Sequence, residues 1–231
     1  MGDRRRPGRA LSVLYIVATP IGNLEDVTLR SLRVLREVTA IAAEDTRVTA
    51  RLLARHQIRR PMISYRAPVE GRALPKLLQT LAAGDVALVS DAGTPTVSDP
   101  GQRLVAAAWE AGHRVVPVPG PSAVTAAVAA SGFAGAGFLF VGYLPRKPGE
   151  LRRLLEAIAA ERRPVVAFES PHRVTRSLRA IAAALPEHLL LLARELTKLH
   201  EEILRGTATE VLDRLGDRGR GEFTVVISPL E

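Results

Sequence analysis

The fold of this chain is decided by one stretch, Leu88-Val89-Ser90-Asp91-Ala92-Gly93-Thr94-Pro95-Thr96-Val97-Ser98-Asp99-Pro100-Gly101. The apolar run 86–89 predicts a buried strand, the polar and glycine-rich residues after it predict a loop, and a helical pattern begins near Gln102. In open α/β sheets, ligands bind just beyond the carboxyl ends of the strands. The stretch therefore predicts a strand, a loop and a helix, with the loop at a ligand site.

Two aspartates of this loop lead to different expectations. Asp91 follows the strand directly, where its carboxylate can accept hydrogen bonds from an amine or hydroxyl of a ligand. Asp99 stands just ahead of the helix, a position where aspartate commonly caps the first turn. We therefore expect Asp91 to be functional and Asp99 to be a cap. Gly93 and Gly101 allow a close backbone approach or a positive φ.

Strands alternate with helices along the first half of the chain. Apolar runs predict strands at 13–18, 39–43, 62–65, 86–89 and 114–118. Helical patterns lie between them, at 28–36, from the end of 44–47 to about residue 56, at 70–83 and from 102 to 111. This spacing predicts a mainly parallel sheet with helices on both faces.

The second half repeats the alternation more loosely. Strands are expected at 138–142, 164–168, 189–193 and 222–228, with a short extended piece at 202–204. Helices are expected at 123–130, at 150–161, from the opening segment 169–173 to residue 184, and at 207–215. We expect a mixed sheet there. The proline-rich segment 117–122 is stiff and marks the predicted hinge. The predicted organisation is a disordered basic tail at 1–11, an N-terminal α/β domain at 12–119 and a C-terminal α/β domain at 120–231.

Composition excludes several classes of site. The 231 residues are 47% hydrophobic, enough for one large core or two modest ones, and no apolar run reaches membrane-spanning length. The sequence contains no cysteine, which excludes disulfides, thiolate zinc sites and cysteine nucleophiles and fits a reducing cytoplasm. No paired histidines have metal-ligand spacing, so we expect no metal.

The charge balance points to an anionic partner. The formal net charge is +8, and nearly all the basic residues are arginine, because the lysines are only Lys76, Lys147 and Lys198. Arginine pairs with phosphate in a forked geometry, so the excess favours nucleic acid. A bias toward arginine codons explains the ratio of arginine to lysine, but it does not explain the net excess of positive charge.

Four stretches of this sequence together resemble one family. They are 18–24 (Ala-Thr-Pro-Ile-Gly-Asn-Leu), 90–101, 168–173 and 221–223. The chain is similar from about Ser12 to its end to the tetrapyrrole-methylase-like S-adenosylmethionine-dependent methyltransferases. Within that group it resembles the branch that methylates the ribose 2′-hydroxyl of a cytidine in small-subunit (16S) ribosomal RNA. The resemblance implies a two-domain α/β enzyme, usually a homodimer, that binds S-adenosylmethionine in the cleft between its domains and acts on ribosomal RNA or the small subunit, with no membrane partner.

One departure separates the branches of this family. The porphyrin-modifying members carry a Gly-x-Gly-Pro-Gly loop after the first strand, whereas this chain has Thr19-Pro20-Ile21-Gly22. The departure favours the ribosomal branch. Two alternatives stay open: methylation of a precorrin-type ring carbon, and a non-catalytic RNA-binding factor of ribosome assembly.

The resemblance also implies which residues touch the cofactor. They are Pro20, Ile21, Gly22, Asp91, Ala92, Gly93, Thr94, Ser122, Ala123, Phe168, Glu169, Leu196, Gly221, Glu222 and Phe223, the last three through their backbone. Packing or helix capping is the simpler explanation for each of them; Phe168 and Leu196 in particular suit a core.

Methyl transfer to a ribose oxygen requires alignment of the reactants and removal of the hydroxyl proton. The candidate bases stand at predicted strand ends and are Glu44, Asp45, Glu169 and Glu195. Lys198 or Arg194 can lower the proton affinity of the hydroxyl or steer a phosphate. The candidate RNA-binding residues are Arg47, Arg146, Lys147, Arg152, Arg153 and Arg173, for which an ordinary solvated surface is the alternative.

Overall fold

The computed structural model describes residues 12–133 and 135–230. The predicted basic tail, with Arg4, Arg5, Arg6 and Arg9, lies outside the described residues. The chain divides between Pro121 and Ser122 into two compact units. We call them unit 1, which ends at Pro121, and unit 2, which begins at Ser122.

Unit 1 is built on a five-stranded parallel sheet. Its strands are β1 (Val13–Val17), β2 (Ala40–Ala43), β3 (Met62–Ser64), β4 (Val86–Val89) and β5 (Arg114–Val118), in the order β3-β2-β4-β1-β5. Every neighbouring pair is parallel. The expected parallel N-terminal sheet is confirmed.

Helices cover both faces of this sheet. They are α1 (Leu29–Glu37), α2 (Thr46–Arg55), α3 (Glu70–Ala83) and α4 (Gln102–Glu110). Successive residues of β2 point to opposite faces: Ile41 packs with α1 and α2, and Ala42 packs with α3 and α4. Because both faces are covered, β2 and β4 are buried throughout, which explains why each is a continuous apolar run.

Unit 2 is built on a mixed sheet, as expected. Its strands are β6 (Leu139–Tyr143), β7 (Val165–Glu169), β8 (Leu189–Arg194), β9 (Glu202–Thr207) and β10 (Phe223–Ile227), in the order β6-β7-β10-β8-β9. The β6–β7 pair is parallel and the other pairs are antiparallel. The helices are α5 (Ala123–Ser131), α6 (Pro148–Ala159), α7 (Val174–Ala184) and α8 (Ala208–Leu215). Helix α5 covers one face, and the other three helices cover the opposite face.

One element is longer than expected, and one local expectation is wrong. The short extended piece at 202–204 is the full strand β9, which pairs with β8 from Glu202 to Thr207. The residue at the start of α4 is Gly101, with φ 135°, and no side chain caps that helix. Asp99 is therefore not the cap. Instead, the backbone N–H of Gly101 donates to the Glu70 carboxylate, 3.0 Å away.

No helix within residues 12–133 and 135–230 is long and apolar enough to cross a membrane.

Candidate functional site

The loops that follow β1 and β4 are tied together in unit 1. Thr19 and Gly93 form an antiparallel bridge, with N···O distances of 2.9 and 3.0 Å, and the Thr19 hydroxyl donates to the Ser90 carbonyl at 3.1 Å. Gly93 has a φ of 73°, and a Cβ there would lie 3.6 Å from the Ile21 side chain. The structure therefore brings the predicted cofactor segments 20–22 and 91–94 into one patch.

The ends of β2 and β4 are joined by their own carboxylates. The Asp45 N–H donates to Asp91 Oδ1 at 2.9 Å, and the Asp91 N–H donates to Glu44 Oε2 at 3.3 Å. Asp99 completes the group, because its pKa responds to the charges of both Glu44 and Asp91. We call Glu44, Asp45, Asp91 and Asp99 the acidic edge.

Asp45 has a structural task within the acidic edge. Its side chain caps α2 by accepting a hydrogen bond from the Arg47 N–H, and it forms an ion pair with the Arg47 guanidinium at 2.6 Å. These hydrogen bonds from Arg47 hold the pKa of Asp45 well below its usual range. Asp45 therefore stays ionised and is a poor proton acceptor, although it was one of the predicted bases.

Glu44 and Asp99 behave in the opposite way. Burial raises the pKa of Glu44; the hydrogen bond from the Asp91 N–H opposes this shift, and the charges of Asp91 and Asp45 add to it. Burial, with the charges of Glu44 and Asp91, raises the pKa of Asp99 to about 6, although a hydrogen bond from the Ser90 side chain opposes this shift. A carboxylate with a pKa near the working pH suits general-base chemistry.

Sequence reasoning missed Asp99 because Asp before a helix usually caps it. The one indication of a functional role in the sequence is that Asp99 lies in the same loop as Asp91, within ten residues of the end of the strand 86–89.

The loop between β4 and α4 is also strained. Thr96 and Ser98 adopt positive φ values of 74° and 66°. Such a conformation is unusual for any residue other than glycine and is costly for a β-branched one. The Gln102 side chain holds this loop by donating to the Thr96 carbonyl at 2.9 Å. Strain of this kind concentrates at functional sites, where the surrounding structure imposes it.

Unit 2 brings a second group of predicted residues together. Lys198 Nζ lies 2.9 Å from Glu195 Oε1 and 3.0 Å from Glu222 Oε2, and the Glu222 N–H donates to the same Glu195 oxygen at 2.8 Å. Gly221 has a φ of 110°, and a Cβ there would be 2.6 Å from Glu195 Cγ. A side chain at Gly221 would therefore collide with the network that holds Glu195.

The ion pair in this network fixes both protonation states. Burial alone would raise the pKa of Glu195, but hydrogen bonds from Lys198 and the Glu222 N–H outweigh it and lower the pKa. Burial alone would lower the pKa of Lys198, but hydrogen bonds to the two carboxylates outweigh it and raise the pKa. Lys198 is therefore a cation that can stabilise negative charge and cannot accept a proton.

Glu169 and Arg173 form an internal link. The Glu169 side chain is fully buried, pairs with Arg173 at 2.7 Å, and accepts hydrogen bonds from the Ser170 N–H and the Ser177 hydroxyl. Arg173 also donates to the Leu144 carbonyl at 2.9 Å. Because their polar atoms are already engaged, neither side chain presents a free group for the predicted roles of base, cofactor ligand or RNA contact.

The remaining predicted cofactor residues of unit 2 lie on strands β7 and β10, in the turn after β8 and at the start of α5. Phe168 and Leu196 are partly buried against the same apolar cluster as α5, which begins directly after Ser122. The Ser122 side chain makes no capping hydrogen bond to that helix. The Phe223 side chain is buried in the cluster on the opposite face, so only its backbone can meet a ligand on the Phe168 face.

Most predicted RNA-binding residues lie on exposed surface. Arg146 and Lys147 follow β6, and Arg152 and Arg153 lie on α6; their surface partners include Glu150, 3.0 Å from Lys147. Arg47 lies in unit 1 with 88% of its side chain exposed. Within residues 12–133 and 135–230, no group of three or more metal-ligating side chains is arranged to hold a metal ion.

The chain matches known proteins along nearly its whole length. It is 47% identical over 220 residues to the ribosomal RNA small subunit methyltransferase I of Thermotoga maritima, covering 94% of this chain and 99% of the relative. It is 48% identical over 236 residues to the protein of the same name from Mesorhizobium japonicum, covering all of this chain and 80% of the relative.

A solved structure shares the fold. The crystal structure of the methyltransferase CobJ superposes with a TM-score of 0.70 at 23% identity and covers 95% of both chains. The family described as tetrapyrrole (corrin/porphyrin) methylases matches residues 13–212. The chain therefore belongs to the tetrapyrrole (corrin/porphyrin) methylase family and, within it, to the group of the ribosomal RNA small subunit methyltransferases I.

Proposed function

We propose that this protein transfers a methyl group from S-adenosylmethionine to the ribose 2′-hydroxyl of a cytidine in small-subunit (16S) ribosomal RNA. The observation that carries the proposal is the 47% identity to a ribosomal RNA small subunit methyltransferase I over 94% of this chain. The match to CobJ is too distant in sequence to support a shared substrate, since its identity is 23%.

The residues of unit 1 suit a cationic cofactor. S-Adenosylmethionine carries a sulfonium and an ammonium group, and when bound it supplies an electrophilic methyl group. Burial raises the pKa values of Glu44 and Asp99, and repulsion from the neighbouring carboxylates of the acidic edge adds to both shifts. A cation bound there relieves this repulsion. The absence of a side chain at Gly93 leaves room for a ligand to approach the backbone.

Removal of the hydroxyl proton is assigned to the acidic edge. Asp99, with a pKa of about 6, is largely ionised at neutral pH and still basic enough to accept a proton. Glu44 is the second candidate, because its pKa is also raised. Lys198 of unit 2 remains protonated and serves as a cation for phosphate or for developing negative charge. General-base assistance of this kind is worth roughly 10²–10⁴-fold in rate.

Replacement of Asp91 tests the cofactor assignment. In Asp91→Ala the acceptor for the Asp45 N–H and one negative charge are both lost, so the affinity for S-adenosylmethionine should fall by about tenfold or more. Asp91→Asn is the matched control, because it keeps an oxygen acceptor and loses only the charge. Its affinity for S-adenosylmethionine should lie between those of the unmodified protein and Asp91→Ala. Calorimetry measures both. Unchanged affinity in a folded Asp91→Ala variant would contradict the assignment.

The substrate is tested by incubation with labelled S-adenosylmethionine. The protein is offered either small ribosomal subunits that lack its modification or a precorrin-type tetrapyrrole. Label in the ribosomal RNA supports the proposal, and label in the tetrapyrrole overturns it. No binding of S-adenosylmethionine at millimolar concentration would favour a non-catalytic assembly factor.

Assembly and location complete the proposal. The resemblance to the family implies a homodimer, and a ribosomal substrate implies action in the cytoplasm. Light scattering distinguishes the 24.9 kDa monomer from a dimer of twice that mass.

A further inference from the structure

Unit 2 contains a groove of about 770 Å³ beside the turn between β7 and α7. One wall is the segment 143–146, which follows β6, and the other comprises Ser170, His172 and Arg173. We call it the Tyr143 groove. Its volume is within the range of small-molecule sites, of roughly 300–1,000 Å³.

The walls of the groove are held by internal hydrogen bonds. The Leu144 N–H donates to the Phe168 carbonyl at 3.0 Å, and Arg173 donates to the Leu144 carbonyl at 2.9 Å. Arg176 of α7 donates to the Arg146 carbonyl at 2.7 Å. These hydrogen bonds hold the backbone of 144–146 in place against β7 and α7 before any ligand binds, which lowers the entropy cost of binding.

The groove presents an aromatic ring and a cation. The Tyr143 side chain is 56% exposed, and its ring packs edge-on against Phe168 with the ring centroids 5.5 Å apart. Arg146 is exposed, and its guanidinium has no hydrogen-bond or ion-pair partner among the described residues. None of the lining residues is a carboxylate.

We propose that the Tyr143 groove holds an unpaired nucleotide of the RNA substrate, with its base stacked on Tyr143 and a neighbouring phosphate at Arg146. This inference rests on the proposed function and names the RNA-binding element of that function. Proteins bind single-stranded RNA by stacking bases on exposed aromatic rings and tracking the phosphates with cations. The chain has only 4% aromatic residues, so it has few rings to offer, and a single platform fits a single nucleotide.

The position of the groove suits this role. The Tyr143 ring touches Phe168, the residue that the family resemblance assigns to the cofactor. The groove is flanked by Lys147, and Arg152 and Arg153 follow on α6, so the phosphates on either side of the nucleotide meet further cations.

Binding of a fluorescent oligocytidine RNA, measured by anisotropy over a range of salt concentrations, tests the two contacts separately. Tyr143→Leu removes the aromatic face and keeps an apolar side chain of similar reach. Its affinity should fall about tenfold while the salt dependence stays the same. Tyr143→Phe should bind like the unmodified protein.

Arg146→Ala should change the salt dependence instead. Loss of one phosphate contact lowers the slope of log affinity against log salt by about 0.7 for a single strand. Arg162→Ala is the matched control, because Arg162 is an exposed arginine just before β7, at the other end of that strand from the groove. It should leave slope and affinity unchanged, and pairing the oligocytidine with its complement should abolish the effect of Tyr143→Leu.

Several results would overturn the groove proposal. These are failure of the unmodified protein to bind the single strand, unchanged affinity in Tyr143→Leu, or equal slopes in Arg146→Ala and Arg162→Ala. If Tyr143→Leu and Arg146→Ala bind the RNA as the unmodified protein does but no longer bind whole small subunits, the groove binds a ribosomal protein and not a nucleotide.

The same variants separate this proposal from the proposed function. If the unmodified protein methylates subunits and the groove variants do so with unchanged KM, only the groove proposal fails. If no methylation occurs but the RNA effects appear as described, the proposed function fails and the groove stands.

Discussion

Single carboxylates of the acidic edge differ in their chemistry because their neighbours differ. Asp45 is held ionised by Arg47, whereas Asp99 lies among like charges and is partly buried. The same residue type is therefore a helix cap at position 45 and the proposed proton acceptor at position 99. Side-chain identity alone does not reveal this division.

Replacement of Asp99 should alter the pH profile of methyl transfer. A base with a pKa of about 6 in the free protein must be deprotonated to act, so kcat/KM should rise with pH through about 6 and level off above it. Asp99→Asn should lower kcat by about 10²-fold or more and remove that inflection. Single-turnover rates over this pH range measure both effects. Retention of the inflection in Asp99→Asn would assign the base to another group, of which Glu44 is the first to replace.

His188 gives unit 2 a pH-dependent stability. It is 3% exposed, neither ring nitrogen has a hydrogen-bond partner among the described residues, and burial lowers its pKa from 6.5. As the pH falls below about 6.5, the unfolded chain takes up a proton that the folded chain resists, so the free energy of unfolding decreases.

The variant His188→Leu removes this proton uptake. Its stability should fall less steeply between about pH 7 and pH 5 and should equal or exceed that of the unmodified protein at neutral pH, because an unsatisfied buried polar group is removed. Urea unfolding at both pH values measures the difference. An identical pH dependence in the two proteins would rule out His188 as the source.

At the scale of elements, the β4–loop–α4 segment depends on one glycine. Gly101 has a φ of 135°, and a Cβ there would lie 2.7 Å from Leu88 Cδ2 and 3.0 Å from Thr96 Cγ2. The start of α4 can therefore lie against the end of β4 only because this residue has no side chain.

Gly101→Ala should destabilise the protein by about 2–4 kcal/mol, since backbone strain and overpacking act together. Gly112→Ala is the control: Gly112 also has a positive φ, of 78°, but a Cβ there meets nothing within 4 Å. It should cost only about 1 kcal/mol. Denaturant unfolding of the two variants gives the comparison. Equal losses would show that contact with Leu88 does not limit this position.

The regular elements were predictable because burial leaves a pattern in the sequence. Strands β2 and β4 are covered on both faces and appear as unbroken apolar runs, and α1 shows its apolar residues on one face. Strand β9 was underestimated because, among residues 12–133 and 135–230, it pairs on only one side, with β8, and its residues do not alternate regularly. Its length is set by long-range pairing, which a local pattern does not contain.

The candidate site was predictable to the level of the loops. The positions of Asp91, Gly93 and Glu44 at strand ends followed from the parallel sheet. The raised pKa of Asp99 depends in part on the charge of Glu44, which belongs to a distant segment, so no local spacing indicates it. Glu169 and Arg173 are only four residues apart, but their spacing does not indicate that the Glu169 side chain is fully buried in this ion pair.

For the whole molecule, the excess of arginine and the acidic edge indicate two ligands of opposite charge. The net charge of +8 favours a polyanion, whereas the acidic edge of unit 1 favours a cation. An enzyme that brings a sulfonium methyl donor to an RNA hydroxyl needs both surfaces. Clustered carboxylates with raised pKa values at strand ends favour such an enzyme over a protein that only binds RNA.

The most direct test of this account is a map of 2′-O-methyl groups in ribosomal RNA from cells with and without this protein. The account predicts that one methylated cytidine of the small-subunit RNA is lost with the protein and returns when the protein is restored, but not when Asp99→Asn is supplied. Identical maps in the two strains would contradict it.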